Sequence, residues 1–305
     1  MNKHLDNSNI SKVLGKTVDY PDQYDASILV REPRQSNREH LNLDDNNLPF
    51  CGYDVWNAYE VSCLTKKGFP VTGIAKIVYP CDNKYIVESK SLKLYLNSFN
   101  MTQLGDSSDE ARYLIKEHIE GDLSELLHTN VEVAVFSPEE VSSMKVSPYF
   151  SKGYLTLETR SGSDDLIFNI YTETPELLST EFITSQPYLV SQNYHSSLLK
   201  SNCRVTHQPD WGDVYIAMKS KKVVRPKDLL KYVVSFRDEN HFHEEICETI
   251  YKRLWDLFQP TELAVTCLYA RRGGIDINPT RVSHVDLLTD SLIDLEVPFS
   301  KTSRQ

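Results

Sequence analysis

One segment of this chain occurs twice, and a duplication constrains architecture more than any other sequence feature, because each copy must build the same supersecondary unit. Tyr85-Ile-Val-Glu-Ser-Lys-Ser-Leu-Lys-Leu-Tyr-Leu-Asn-Ser-Phe99 returns in degenerate form as Lys222-Val-Val-Arg-Pro-Lys-Asp-Leu-Leu-Lys-Tyr-Val-Val-Ser-Phe236. Tyr95 matches Tyr232 and Ser98 matches Ser235 at one offset of 137 residues (232 minus 95, 235 minus 98). The surroundings repeat as well. A strand-like run precedes each copy, at 74–79 and at 214–218. Apolar residues at helical spacing follow: Ile115, Ile119, Leu123 and Leu126 after the first copy, Ile246, Ile250, Leu254 and Leu257 after the second. A closing strand comes next in both, at 131–136 and 263–269. Alternating β-branched runs joined by short connections, then a helix on one face, predict antiparallel sheet packed against helices, an α+β fold.

The repeat divides the chain into a polar, irregular N-terminal arm over 1–44, a first module over 45–140 and a second over 141–305. The boundary falls within 137–190, where strand-like runs at 154–158 and 166–171 read as the start of the second module. With 305 residues the chain is long enough to bury a substantial core. Its 33 basic and 43 acidic residues give a net charge of -10, which disfavours nucleic acid and anionic membranes as partners. No apolar stretch is long enough to span a bilayer, and the N-terminus lacks a hydrophobic signal core, so the expectation is a cytoplasmic protein. The six cysteines contain no C-x-x-C pair and read as reduced thiols, each by default a small buried hydrophobe.

The two copies keep different polar residues. The first has Glu88-Ser-Lys-Ser91 and Lys93, where the second has Arg225-Pro-Lys-Asp228 and Leu230. The second has Cys203-Arg-Val-Thr-His-Gln-Pro-Asp210, His243-Glu244 and Arg271-Arg-Gly-Gly274. Aligning Pro70 with Pro209 places Leu64 and Val71 opposite the Cys and Asp. Complementary loss of this kind is expected where one site is assembled from both halves, with cations for a cofactor on one and a nucleophile on the other. Taken alone, a His-Glu at a helix start also serves as a cap or a solvated pair, and a loop carboxylate such as Asp210 also serves as a turn contact.

At these residues the sequence resembles the 7-cyano-7-deazaguanine reductases of queuosine biosynthesis in their long, two-module form. Residues 88–99 are similar to the signature of that family, and 203–210 to its catalytic segment. The likeness runs over nearly the whole chain. One departure is Arg204, which stands where short members have proline; it is expected to be tolerated, with no chemical role. The resemblance implies tandem tunnelling-fold modules, antiparallel sheets with helices on the outside, a homodimer, and no metal.

It also implies a reaction: reduction of a nitrile to an aminomethyl group with two NADPH per turnover. Cys203 is then the nucleophile that converts the nitrile to a covalent thioimide, and Asp210 the general acid, its pKa raised by a desolvated pocket. Val87, Glu88, Ser89, His243 and Glu244 are implied as substrate contacts. Ser89, Lys90, Lys93, Arg272 and Gly273 are implied for NADPH, even though no G-x-G-x-x-G follows a strand. Two other readings stay open: a zinc-dependent hydrolase related to GTP cyclohydrolase, with His207, His241 and His243 near Cys203, and a purine-binding scaffold without catalysis.

Overall fold

A computed structural model describes residues 21, 23–144, 153–160, 166–178, 184–297 and 305. Residues 1–20 and 22 of the N-terminal arm expected to be irregular lie outside the described residues, as does part of the expected module boundary. In chain order the elements are β1 (Arg31–Pro33), α1 (Gln35–His40), β2 (Cys51–Leu64), β3 (Pro70–Pro80), β4 (Tyr85–Val87), α2 (Ser89–Ser98), α3 (Ser108–Leu127) and β5 (Glu132–Phe136). Then come α4 (Pro138–Ser143), β6 (Leu155–Thr156), α5 (Leu157–Arg160), β7 (Thr184–Asn202), β8 (Pro209–Val223), α6 (Pro226–Ser235), α7 (His243–Phe258), β9 (Glu262–Tyr269), β10 (Ile275–Val282) and α8 (Asp290–Ile293). The fold is α+β. One eight-stranded sheet runs β5-β3-β2-β10-β9-β8-β7-β6, antiparallel except for the short β6–β7 pair.

Each half runs long hairpin, two helices, closing strand. The reason is visible in the sequence. β2 and β3 alternate in burial at one or both ends but bury both faces over 54–58 and 75–79, while α2 and α6 bury one broad stripe each and start 137 residues apart (226 minus 89). Ser98 donates to the Tyr95 carbonyl at 2.6 Å, and Ser235 to the Tyr232 carbonyl at 2.7 Å, so the matched residues make the same bond in both helices. On α3 and α7 the buried stripes end on Leu127 and Phe258, with Leu126 and Leu257 only half-buried. The last turn therefore follows 3.6-residue periodicity one position beyond the apolar pattern read from sequence.

Two expectations are corrected. Residues 26–40 are not an irregular arm: β1 pairs antiparallel with β4, and Arg34 and Arg38 are fully buried. Arg34 meets Asp54 of β2 at 2.5 Å, Arg38 meets Glu248 of α7 at 2.9 Å, and Arg281 of β10 bridges Asp54 at 2.8 Å and Glu248 at 3.0 Å. Charges this deep survive only when paired, and the three arginines hold Glu248 down to about 2 against the upward push of burial. The second correction concerns 166–171, which is irregular. Its alternation is genuine, with Leu166 and Phe168 packed against the core and Ile167 78% exposed, but among the described residues no strand pairs with it.

What positions the site is β10. It lies between β9 of its own half and β2 of the other, with Ile277 opposite Trp56 and Ile275 opposite Ala58. Ile275 and Ile277 thereby join the core of the first half, and the β9–β10 turn is brought over α2.

Candidate active site

Cys203 opens the turn between β7 and β8. Its N–H donates to the Gln208 carbonyl at 2.9 Å and its carbonyl accepts from the His207 N–H at 3.0 Å. His207 takes a left-handed conformation, φ 54°, to close that turn. Asp210 follows on β8, His243 and Glu244 form the first turn of α7, and Arg272-Gly273 lies in the β9–β10 turn. Val87 ends β4 and Ser89 begins α2, which carries Lys93 one turn later.

These elements converge on one cleft with two adjoining lobes, about 360 Å³ and about 270 Å³ of open space. Ser89, Cys203, Asp210, His243 and Ile277 line both. The larger lobe adds Lys93, Ala270, Arg272 and Ile275, and is the cationic one. The smaller adds Trp56, Val87, His241, Phe242 and Glu244, and is aromatic with a carboxylate at its base. Cys203 and Asp210 sit where the lobes meet.

Asp210 is 3% exposed. Burial pushes its carboxyl up, but His243, with Nε2 3.6 Å from Oδ1, and the Arg272 guanidinium, paired directly with Oδ1, outweigh it and hold the group below the usual carboxylate range. The raised pKa expected from a desolvated pocket is thus corrected: without substrate Asp210 is an ionised, paired carboxylate. Its Oδ2 is buried with no hydrogen-bond partner among the described residues.

Glu244 is 3% exposed and behaves oppositely. Burial and neighbouring Asp54 push its carboxyl up to about 8, only partly offset by Arg34 and Arg281, and its Oε1 has no hydrogen-bond partner among the described residues. A carboxyl raised on folding binds its proton more tightly in the folded chain, so its stabilising contribution is present at acid pH and lost as pH rises from about 4.5 through about 8. Glu244→Gln cannot ionise. Between about pH 6 and about pH 9 the Tm of the wild type should fall relative to that of this variant; parallel Tm curves would show that Glu244 is not held protonated.

Glu88 is buried and caps α2, its two carboxylate oxygens accepting from Lys90 N–H at 2.9 Å and Ser91 N–H at 2.7 Å. Neither Glu88 nor Lys90 is among the residues lining the cleft, although Glu88 retains lone pairs beyond those used in the cap. Gly273, at φ 54°, lies against Lys93: a Cβ there would come within 3.2 Å of the Lys93 Nζ and Cε. The close approach brings a cation of the first half beside Arg272 of the second. Burial and Arg272 both lower the Lys93 pKa. No hydrogen bond or ion pair to Lys93 occurs among the described residues. An unpaired lysine beside an arginine in a recess is the donor set that a phosphate-bearing co-substrate requires.

Sequence reasoning missed Trp56, Phe242, Ile275 and Ile277. Phe242 had a signal, its place between His241 and His243. Trp56 had none, since its partner Ile277 is 221 residues away (277 minus 56). His241 bridges Glu239 at 3.1 Å and Glu245 at 3.2 Å; these carboxylates outweigh burial and raise its pKa to about 9. Among the described residues no group of three or more His, Cys, Asp or Glu side chains is arranged to hold a metal ion, and no helix is long and apolar enough to cross a membrane.

Comparison with known proteins adds the chemistry. The family described as nitrile reductase, 7-cyano-7-deazaguanine-reductase N-term, matches residues 20–135, and the QueF-like protein family matches residues 209–286. The NADPH-dependent 7-cyano-7-deazaguanine reductase of Colwellia psychrerythraea is 38% identical over 292 residues, 96% of this chain and 95% of that protein. The enzyme of the same name from Acidovorax ebreus is 41% identical over 277 residues, 89% of this chain and 92% of its own. A solved structure of an archaeosine synthase QueF-Like in the apo form aligns with 33% of this chain and 98% of its own at 20% identity, with a TM-score of 0.28.

Proposed function

The chain belongs to the NADPH-dependent 7-cyano-7-deazaguanine reductase family, and from that premise we propose how its cleft reduces the nitrile to an aminomethyl group, the reductive step of queuosine biosynthesis. The observation that carries the reading is the two-lobed cleft, in which a thiol and a carboxylate stand between a cationic recess and an aromatic recess.

The aromatic lobe takes the deazaguanine. Glu244 accepts its adjacent N–H donors, which supply the missing partner for the buried Oε1 and favour the ionised form on binding. Glu88, from the other half, is a second acceptor through the lone pairs its helix cap leaves open, and Val87 and Ser89 border the base. His243 sits edge-on against Tyr269, ring centroids 4.1 Å apart, so its position beside Asp210 is fixed by packing.

The reacting carbon then lies at Cys203. A nitrile carbon is a poor hydride acceptor, and sulfur addition converts it to a thioimide. The S–C bond forms as one π bond of the C≡N group breaks, and the nitrogen gains a proton. Asp210 begins ionised, so in this mechanism it accepts the Cys203 thiol proton and returns it to the nitrogen, first base and then acid. NADPH, when bound, would supply two hydrides in succession, one per molecule; after the first the S–C bond breaks, Cys203 recovers its thiol and the C=N group left behind takes the second hydride, with one solvent proton reaching nitrogen at each reduction. Lys93, Arg272 and Ser89 are the residues suited to its phosphates, with Lys90 near the entrance of α2 and Gly273 allowing close backbone approach.

The two halves are read as copies of one tunnelling-fold module, supported by their common element order and the 137-residue offset of α2 and α6 (226 minus 89). A homodimer is the assembly this proposal includes, since among the described residues the sheet ends on β5 and β6. The reductase reading is tested by following NADPH oxidation with 7-cyano-7-deazaguanine as sole acceptor. Two equivalents should be consumed per aminomethyl product; no oxidation, or a different ratio, overturns it.

A further inference from the structure

We propose that Arg204 is a positioning residue: it clamps the Cys203 turn to the helix that carries His243 and Glu244, and so sets where the thiol stands over the bound nitrile. The proposal rests on the reading of Cys203 as nucleophile.

Arg204 follows Cys203 directly but is not among the residues lining either lobe. Its Nη1 lies 2.9 Å from Glu245 Oε1, and its guanidinium carbon lies 5.4 Å from the centroid of the Phe242 ring. Both partners belong to the start of α7. Glu245 is 5% exposed and already anchored there, accepting from the Phe242 N–H at 3.0 Å and contacting His241 Nδ1 at 3.2 Å. A residue already held by two contacts of its own is a firm post for a turn to tie to. Phe242 itself lines the aromatic lobe, so the arginine that braces the turn also lies over a ring of the substrate pocket.

The rest of the turn is tied to the same segment by weaker means. Asn202 N–H donates to the Glu239 carbonyl at 2.7 Å, His241 N–H donates to the Asn202 carbonyl at 3.1 Å, and His207 Nδ1 lies 2.7 Å from Asn240 Oδ1. These bonds hold the two ends of the turn. Arg204 is the tie next to the nucleophile. Its charge also reaches the first half: burial and Glu88 push the buried Glu32 of β1 up to about 7, while Arg204 pulls it down. Near-attack geometry is sensitive to displacement, and a shift of about 1 Å costs on the order of 100-fold in rate. A clamp made of one ion pair and one ring contact therefore controls rate while leaving affinity to Glu244 and the aromatic lobe.

The experiment is a double-mutant cycle with Arg204→Met, which keeps the stem, and Glu245→Gln, which keeps a cap acceptor, plus Arg204→Lys. Thioimide formation is followed by its absorbance in single-turnover mixing of enzyme and 7-cyano-7-deazaguanine without NADPH. Substrate affinity is measured by calorimetry with each substitution placed on Cys203→Ala. Each single variant should slow adduct formation about 10-fold to 100-fold, the pair should slow it no further, and affinity should stay within about 3-fold. Arg204→Lys should recover part of the rate. Wild-type adduct rates in Arg204→Met, fully additive losses, or a loss of affinity that accounts for the slower rate would overturn the clamp. If wild-type enzyme itself forms no adduct, the reading of Cys203 fails, a result distinct from failure of the clamp.

Discussion

Replacing Cys203 by alanine should abolish turnover and the thioimide absorbance together, while 7-cyano-7-deazaguanine still binds. The expectation follows from the division of labour in the cleft. Cys203 borders both lobes, and in the proposed binding mode the base is anchored by Glu244 and the aromatic walls rather than by the thiol. Without the sulfur no covalent step precedes hydride transfer, and residual activity should fall below about one part in 10⁴, the scale on which loss of a covalent nucleophile is felt. Steady-state NADPH oxidation and calorimetric titration of the variant decide it. An active Cys203→Ala enzyme would refute the mechanism, whereas an inactive one that no longer binds substrate would show that Cys203 holds the pocket rather than the nitrile.

The second large effect is at Asp210. An asparagine there can neither take the thiol proton nor return it, so Asp210→Asn should lower kcat about 10² to 10⁴-fold, the range for loss of a general acid or base. Adduct formation should fall with it, because proton transfer to nitrogen accompanies attack. The substitution also removes the negative partner of Arg272 and His243. Arg272 then has no carboxylate to hold it, and the KM for NADPH should change little or improve while kcat collapses. A variant that forms adduct at the wild-type rate and loses only the reductive steps would move the proton donor elsewhere, with His243 the next group in line.

Much of the frame was legible. The 3.6-residue spacing of Ile115, Ile119 and Leu123, and of Ile246, Ile250 and Leu254, locates α3 and α7 because helical periodicity is a local property of the backbone. Glu88 shows the limit. The sequence marks it as polar and retained, but only the folded chain shows both its oxygens capping α2. Residues 166–171 show another. Alternation reports which side chains are buried, and Leu166 and Phe168 are turned toward the core, but it does not report whether another strand lies alongside to complete the hydrogen bonds.

Arg204 is the sharpest divergence between the two levels. As a letter it reads as a tolerated replacement beside the nucleophile; in three dimensions it meets a buried carboxylate on the helix that forms the substrate pocket. Asp210 is similar, since a carboxyl in a desolvated recess is expected to rise and the pairing of Arg272 and His243 reverses the sign.

The sequence by itself determined the α+β alternation, the 137-residue offset between α2 and α6 (226 minus 89), and the inventory of reactive groups with one thiol and one carboxylate in a Cys-to-Asp segment. Those are local or repeated features, written in residue order. The tertiary structure alone decided that Trp56 faces Ile277, that Lys93 lies against Gly273, and which carboxyls in the cleft are charged. The first two depend on β10 crossing to pair with β2, and the charges on the burial and pairing that folding brings about. Contacts between residues some 200 positions apart, and the fields they set up, come into being only when the chain closes on itself.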